Sequence, residues 1–278
     1  MAYTSSVITL EVSGHVATLW LDRAEARNAL GSAFWADLPD AAATVSRTVA
    51  DDDVRVLVIA AKGPHFTVGL DLKEFGGHLV SQEQSSSKAV ANARVYENVR
   101  AMQASVTALA NLEIPVIAAV HGYCIGAGID LISACDVRLA SADALFSVRE
   151  TKVAIVADLG TLQRLPRILS AGHVAELAFT GKDISADRAA QIGLVNSVHG
   201  ESAASVLAAA YELAGEIAAN SPLAVRGTKA VLAANEGRSV EEGLEFVARW
   251  NTMYLASNDL VEAMTAFVER RPPTFTGT

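Results

Sequence analysis

The chain reads as an α/β protein closed by a helical C-terminal part, and three observations carry that reading. Two continuous apolar runs with β-branched residues, Val54 to Ala60 and Pro115 to Val120, have the composition of strands buried on both faces. A helical pattern precedes each. One starts near Ser32 with Phe34, Leu38, Ala41, Ala42, Val45 and Val49 on one face; the other runs from Gln82 to Asn111 with Val90, Val95, Val99, Met102, Val106 and Leu109 apolar. After Pro166 helical patterns dominate: His173 to Phe179, Ser185 to Ile192, Glu201 to Ala219, Leu223 to Ala234, Ser239 to Ala256 and Leu260 to Glu269, interrupted by a strand-like piece, Leu194 to Val198. Residues 1–198 are therefore expected to form the core. Residues 199–278 are expected to form a helical region that wraps the core or makes subunit contacts.

The other elements follow in chain order. Two β-rich runs between Val7 and Leu21 flank Ser13-Gly14, a hairpin signal. Asp22 to Asn28 is polar and carries Arg23 and Arg27. Pro39 falls inside the first helix and is expected to kink or delay it. Lys62 to Gly77 is a loop with Gly63-Pro64, Gly69 and Gly76-Gly77, placed where α/β proteins keep their chemistry.

Composition excludes several function classes. A net charge of −9 argues against nucleic-acid binding, which needs basic surface, so a phosphate-bearing ligand would need a local basic cluster. Hydrophobic content is 51%, yet no run of ~18 residues is apolar enough for a membrane span. The start, MAYTSSVITLEV, has no basic segment followed by an apolar one, and the end, PPTFTGT, carries no familiar address, so a soluble cytoplasmic protein is expected. Cys124 and Cys135 match no metal or redox spacing and are read as reduced, packed thiols. The six histidines form no close pair, so no metal site is expected, and His121 is read as a loop histidine bonded to backbone.

The chain is organised around Val120 to Leu165. The strand-like run Ile114 to Val120 enters a glycine-bearing turn, Gly122 to Gly128, which opens onto a short helical pattern, Ile129 to Ala134. Glycines admit close backbone approach, and a helix start presents unpaired N–H groups, so this corner suits an anion or a developing oxyanion. Three carboxylates follow: Asp130, Glu150 and Asp158. Taken singly each has a structural reading: Asp130 as a first-turn dipole residue, Glu150 beside Arg149 and Lys152 as part of a charged loop, Asp158 as a cap for the helix toward Arg164. Asp158 also closes the apolar run Val153 to Ala157, where desolvation is expected to raise its pKa and suit it to proton transfer.

Across nearly its whole length the sequence resembles the crotonase (enoyl-CoA hydratase/isomerase) superfamily, on HGYCIGAGIDLISACDVRLAS, FTVGLDLKEF and LDRAEARNAL. Within it the resemblance is closest to the Δ3,5-Δ2,4-dienoyl-CoA isomerases. Hydratases of the family have glutamates at the positions of Asp130 and Glu150; the dienoyl-CoA isomerases have an aspartate first and a third acid where Asp158 stands. VADLGTLQRLP here replaces the hydratases' glycine-rich PGAGGTQ-like run. The resemblance implies a spiral of ββα units, an acyl-CoA-binding core and a helical C-terminal region that trimerises, with trimers pairing into hexamers. It places oxyanion-binding amides at Leu70 and Ala127. Because the family usually has glycine at the second position, Ala127 needs a negative φ. It places Coenzyme A along Arg23, Arg27, Val68, Gly69, Asp71 and Lys73, with Phe267 and Arg270 or Arg271 reaching the nucleotide of a neighbouring subunit.

The expected reaction moves the double bonds of a 3,5-dienoyl-CoA to the 2,4 positions. Glu150 takes the α-proton, Asp158 supplies the ε-proton, and Asp130 holds hydrogen bonds and charge balance. No metal, flavin or nicotinamide is needed, Coenzyme A being part of the substrate. Two other readings stay open: a 2-enoyl-CoA hydratase, which the shorter Asp130 disfavours, and a silent acyl-CoA-binding scaffold.

Overall fold

The computed structural model describes residues 3–51, 53–76 and 87–278. β1 (Tyr3–Thr4), β2 (Ile8–Ser13) and β3 (Val16–Leu21) pair antiparallel. Ser13 pairs with Val16, so Gly14 and His15 make a two-residue turn, and Gly14 takes the positive φ of 56° that such a turn requires. β4 (Val56–Ala61), β5 (Val116–Val120), β7 (Val137–Ala140) and β10 (Ser197–Val198) continue the sheet in parallel, in the order β1-β2-β3-β4-β5-β7-β10. A second sheet has the order β6 (Tyr123–Ile125), β8 (Leu145–Ser147), β9 (Ile184–Ser185).

Successive strands alternate between the sheets. β5 joins the large sheet, β6 the small one, and the helix Ala127–Ser133 follows; β7 and β8 repeat the move. A bridge from Thr67 to Cys124 brings the turn begun by β4 against the small sheet as well. The chain thus climbs as the expected spiral. β6, β8 and β9, each two or three residues long, are too short to show a period and were not legible in the sequence.

Burial explains the continuous apolar runs. Leu57 and Ile59 of β4 face one core with Val116 and Ala118 of β5, whereas Val56, Val58 and Ala60 face a second core with Ile117 and Ala119. Val206, Ala210, Ala214 and Ala218 of the helix Ala203–Ala218 cover that second face, their four-residue step lining one side of the helix. This helix, the first of the region 199–278, packs directly on the sheet. The peripheral helices begin at Pro222–Ala234 and continue with Val240–Tyr254 and Asn258–Glu269.

Pro39 does not delay the first helix, which spans Ser32–Asp51. Proline cannot donate to the carbonyl four residues back, and that carbonyl, Trp35 O, instead accepts from Ser105 Oγ at 2.7 Å. The second helix is described over Lys88–Ala110; residues 82–86 of its expected span lie outside the described residues. Its second half covers the core through Ser105, Val106 and Leu109, whereas Val90, Val95 and Tyr96 nearer its start are exposed. Among the described residues no helix is long and apolar enough to cross a membrane.

Candidate active site

The register of the small sheet lines up the site. Thr67 bridges to Cys124, and Cys124 pairs with Phe146, so the three stand in one row on successive turns of the spiral. Three residues further along each turn come Leu70, Ala127 and Arg149, with Glu150 next. In the first of these turns Leu30 N–H donates to Gly69 O and Asp71 N–H to Leu30 O, which leaves the intervening Leu70 amide outside the ladder. Ala127 is the first residue of its helix, where an amide has no intrahelical acceptor.

Glycine is demanded one residue earlier than the family pattern suggested. Gly126 has φ 56° and ψ −121°, which only glycine adopts readily, and its N–H donates to Ser147 O at 2.9 Å. Ala127 is not among the residues with positive φ, so its methyl meets the condition set by the sequence. Gly69, at φ 84°, lets the two loops touch, since a Cβ there would lie 2.6 Å from Ile125 O and 3.4 Å from Ala127 N.

A cavity of about 110 Å³ opens beside these amides. Val68, Gly69, Leu70, Gly126 and Ala127 line it together with Asp130, Glu150 and Asp158. All three acids predicted from sequence thus share one cavity. The apolar side chains of Leu72, Ile125, Val153, Ile155 and Leu159, and Arg149, complete the lining.

The acids sit in different environments. Asp130 is 1% exposed, and its Oδ1 accepts from Thr161 N–H at 2.6 Å. Burial above all, then the charges of Glu150 and Asp158, push its pKa up to about 7 against the opposing Thr161 contact. Glu150 is half-buried, with Oε2 buried and lacking a hydrogen-bond partner among the described residues. Its carboxyl is raised by burial and further by Asp158. Asp158 corrects the sequence reading. Val153, Ile155 and Val156 beside it are solvent-exposed, and Asp158 itself stands exposed at the rim. Partial desolvation of its carboxyl raises the pKa, but the nearly dehydrated acid is Asp130. Nor does Asp158 cap the following helix, whose N-cap is Gly160.

This asymmetry gives a stability prediction. Between an unfolded pKa of 3.8 and a folded value of about 7, folded Asp130 keeps a proton that the unfolded chain has released. Stability therefore falls as pH rises through that window, and above it the ionised, buried carboxylate costs about 4 kcal/mol. Asp130→Asn, neutral at every pH, is expected to melt above wild type at pH 8, with the gap closing toward pH 4. Thermal unfolding across that range checks it, and a pH-independent gap would contradict it.

Several predicted ligand contacts have partners within the protein. Arg23 Nη1 pairs with Asp71 Oδ2 at 2.8 Å, and Asp71 Oδ1 accepts from the amides of Lys73 (3.1 Å) and Glu74 (3.3 Å). Asp71 is buried and holds the backbone of residues 73 and 74. Arg27 and Lys73 are exposed. Phe267, 82% exposed, and Arg270, which ends the last helix in the left-handed conformation, do not line the cavity. His121 is buried with Nε2 2.9 Å from Gly63 O, the backbone bond expected of it. Sequence reasoning missed Arg149, for which adjacency to Glu150 was the available signal, and Thr161, for which there was none.

A ββα spiral whose cavity is lined by Leu70, Ala127 and three acids defines a class, and comparison with known proteins gives the same one. The family model described as Enoyl-CoA hydratase/isomerase matches residues 11–278, and the chain belongs to this family. It is 39% identical over 272 residues, 98% of this chain and 96% of the relative, to "Delta(3,5)-Delta(2,4)-dienoyl-CoA isomerase, peroxisomal" of Arabidopsis thaliana. It is 38% identical to the mitochondrial protein of that name from Homo sapiens, covering 92% of this chain and 77% of that one. A hydratase is more distant: "(E)-benzylidenesuccinyl-CoA hydratase" of Thauera aromatica is 35% identical over 97% of this chain and 99% of the relative. Among solved structures, the enoyl-CoA hydratase of Bacillus anthracis superposes with a TM-score of 0.87 at 30% identity, covering 98% of this chain and all of that one (100%). The fold is the crotonase fold.

Proposed function

We propose that the protein is a Δ3,5-Δ2,4-dienoyl-CoA isomerase. The observation that carries the proposal is the one cavity lined by Leu70 and Ala127 together with Asp130, Glu150 and Asp158. A thioester oxygen gripped by the two amides makes the α-proton acidic, because the enolate charge develops against donors already in place. Glu150, whose carboxylate lies over Gly126 beside Ala127, takes that proton. The electron pair spreads along the diene to the ε-carbon, which one short carboxylate cannot also reach, and Asp158 at the rim returns a proton there. Asp130, held by the Thr161 amide, balances charge and favours a protonated acid nearby. The apolar rim of Leu72, Val153 and Ile155 suits an acyl tail.

As proposed, the chemistry is two proton transfers through an enolate, so no metal or redox cofactor enters. Exposed Arg27 and Lys73 are the side chains offered to the phosphates of Coenzyme A, and Phe267 and Arg270 are offered to a neighbouring subunit's ligand. A homotrimer, or a dimer of trimers, is supported by the exposed apolar residues Val261, Met264, Phe267 and Val268 on the last helix. A cytoplasmic setting is supported by two buried, unpaired cysteines, which suit a reducing compartment, although relatives are named peroxisomal and mitochondrial.

Offering 3,5-dienoyl-CoA and, separately, 2-enoyl-CoA and following ultraviolet absorbance tests the reading. Turnover of the first is expected. Turnover of the second alone would make the protein a hydratase, and binding without turnover a scaffold. Asp158→Asn is expected to lose about 10²-fold or more of isomerisation while still binding ligand. Near-normal turnover would remove Asp158 from the mechanism.

A further inference from the structure

The segment that carries Asp158 has no ladder of its own. Residues 155–158 lie outside regular secondary structure and 159–160 form a bend, yet a general acid must be held within about half an ångström of its working position. Side chains from elsewhere hold this one. Gln103 Nε2 donates to Asp158 O at 2.6 Å. Arg164 Nη1 donates to Leu159 O at 3.2 Å while its Nη2 donates to Thr107 Oγ1 at 2.9 Å. Gly160, at φ 129°, leaves open the space that the Arg164 guanidinium fills.

Gln103 and Thr107 stand four residues apart on the helix Lys88–Ala110, hence on one face. Gln103 Oε1 accepts from Arg100 Nη1 at 2.8 Å, which turns the amide NH₂ toward the loop. This half of the helix is the anchored half, with Ser105 bonded to Trp35 O and with Val106 and Leu109 fully buried.

We propose that Gln103 and Thr107 are a positioning pair for Asp158. By holding the carbonyls of residues 158 and 159, one directly and one through Arg164, they set the carboxyl where it meets the ε-carbon. The proposal rests on the isomerase reading above. In that reaction the α C–H bond breaks, its proton passes to Glu150 and its electron pair joins the two double bonds in a trienolate. An ε C–H bond then forms with the proton of Asp158, which is left as carboxylate; Glu150 afterwards gives a proton to water and Asp158 regains one. A trienolate that Asp158 fails to meet takes a proton back at the α-carbon, so displacing Asp158 changes how the intermediate partitions.

The test compares wild type, Gln103→Leu, Thr107→Val and the conservative Thr107→Ser with 3,5-dienoyl-CoA in D₂O. Isomerisation is followed by absorbance, and deuterium at the α-carbon of recovered substrate by mass spectrometry. In Gln103→Leu and Thr107→Val the ratio of α-exchange to isomerisation is expected to rise about tenfold and kcat to fall, with KM within about twofold of wild type; Thr107→Ser stays near wild type. Because the ratio compares two fates of one intermediate on one folded molecule, loss of folded protein does not move it. An unchanged ratio in both variants overturns the positioning role. Wild type that fails to isomerise overturns the isomerase reading instead, so the two failures are told apart.

Discussion

Glu150→Gln is expected to lower kcat for isomerisation about 10³-fold and to abolish deuterium exchange at the α-carbon. The two side chains match in shape, so binding and fold should survive; the amide simply cannot take a proton. Glu150 is suited to that step because Oε2 is buried without a partner among the described residues, and because a Cβ on Gly126 would lie only 3.6 Å from Oε1, which puts the carboxylate over the oxyanion turn. Burial raises its pKa, which makes it a stronger base once ionised. The contrast with Asp158→Asn is the informative part. That variant should still exchange the α-hydrogen while failing to isomerise, whereas Glu150→Gln should do neither. Exchange persisting in Glu150→Gln would assign the α-proton to another group.

Gly69→Ala is expected to reduce kcat/KM by 10² to 10³-fold, the scale of losing one oxyanion donor, and to lower the melting temperature. Two costs coincide at this residue. Its φ of 84° strains any side chain, and the new methyl would stand 2.6 Å from Ile125 O, a backbone atom that cannot swing aside. Relief comes only by parting the loop of Leu70 from the loop of Ala127, which separates the two amides that must point at one oxygen. Steady-state kinetics with a matched melting curve would check this. Full activity in Gly69→Ala would mean that the two amides do not act together.

Much of this was legible in the chain. The strands at Val56–Ala61 and Val116–Val120 and the long helices were read because burial on two faces or on one stripe leaves a periodic trace over many residues. The three acids were picked out along Val120 to Leu165, and the amides of Leu70 and Ala127 were implied by the family resemblance. Their convergence was not derivable from spacing, because Leu70 and Ala127 become neighbours through tertiary contacts such as the bridge from Thr67 to Cys124.

Sequence went astray where exposure depends on packing between distant segments. Asp158 follows five apolar residues and so reads as buried, but four of them face solvent and it stands at the rim; Asp130, in an ordinary first-turn position, is the acid enclosed on all sides. Local order thus determined which chemical groups the protein owns and which backbone shapes its glycines permit. Only the tertiary fold decided which carboxyl is dehydrated, that Asp71 serves its own loop, and that the helix Ala203–Ala218 closes the core. The physical reason is that desolvation and hydrogen-bond partnership are set by atoms far away in the chain, and these leave no periodic signal in the residues they act upon.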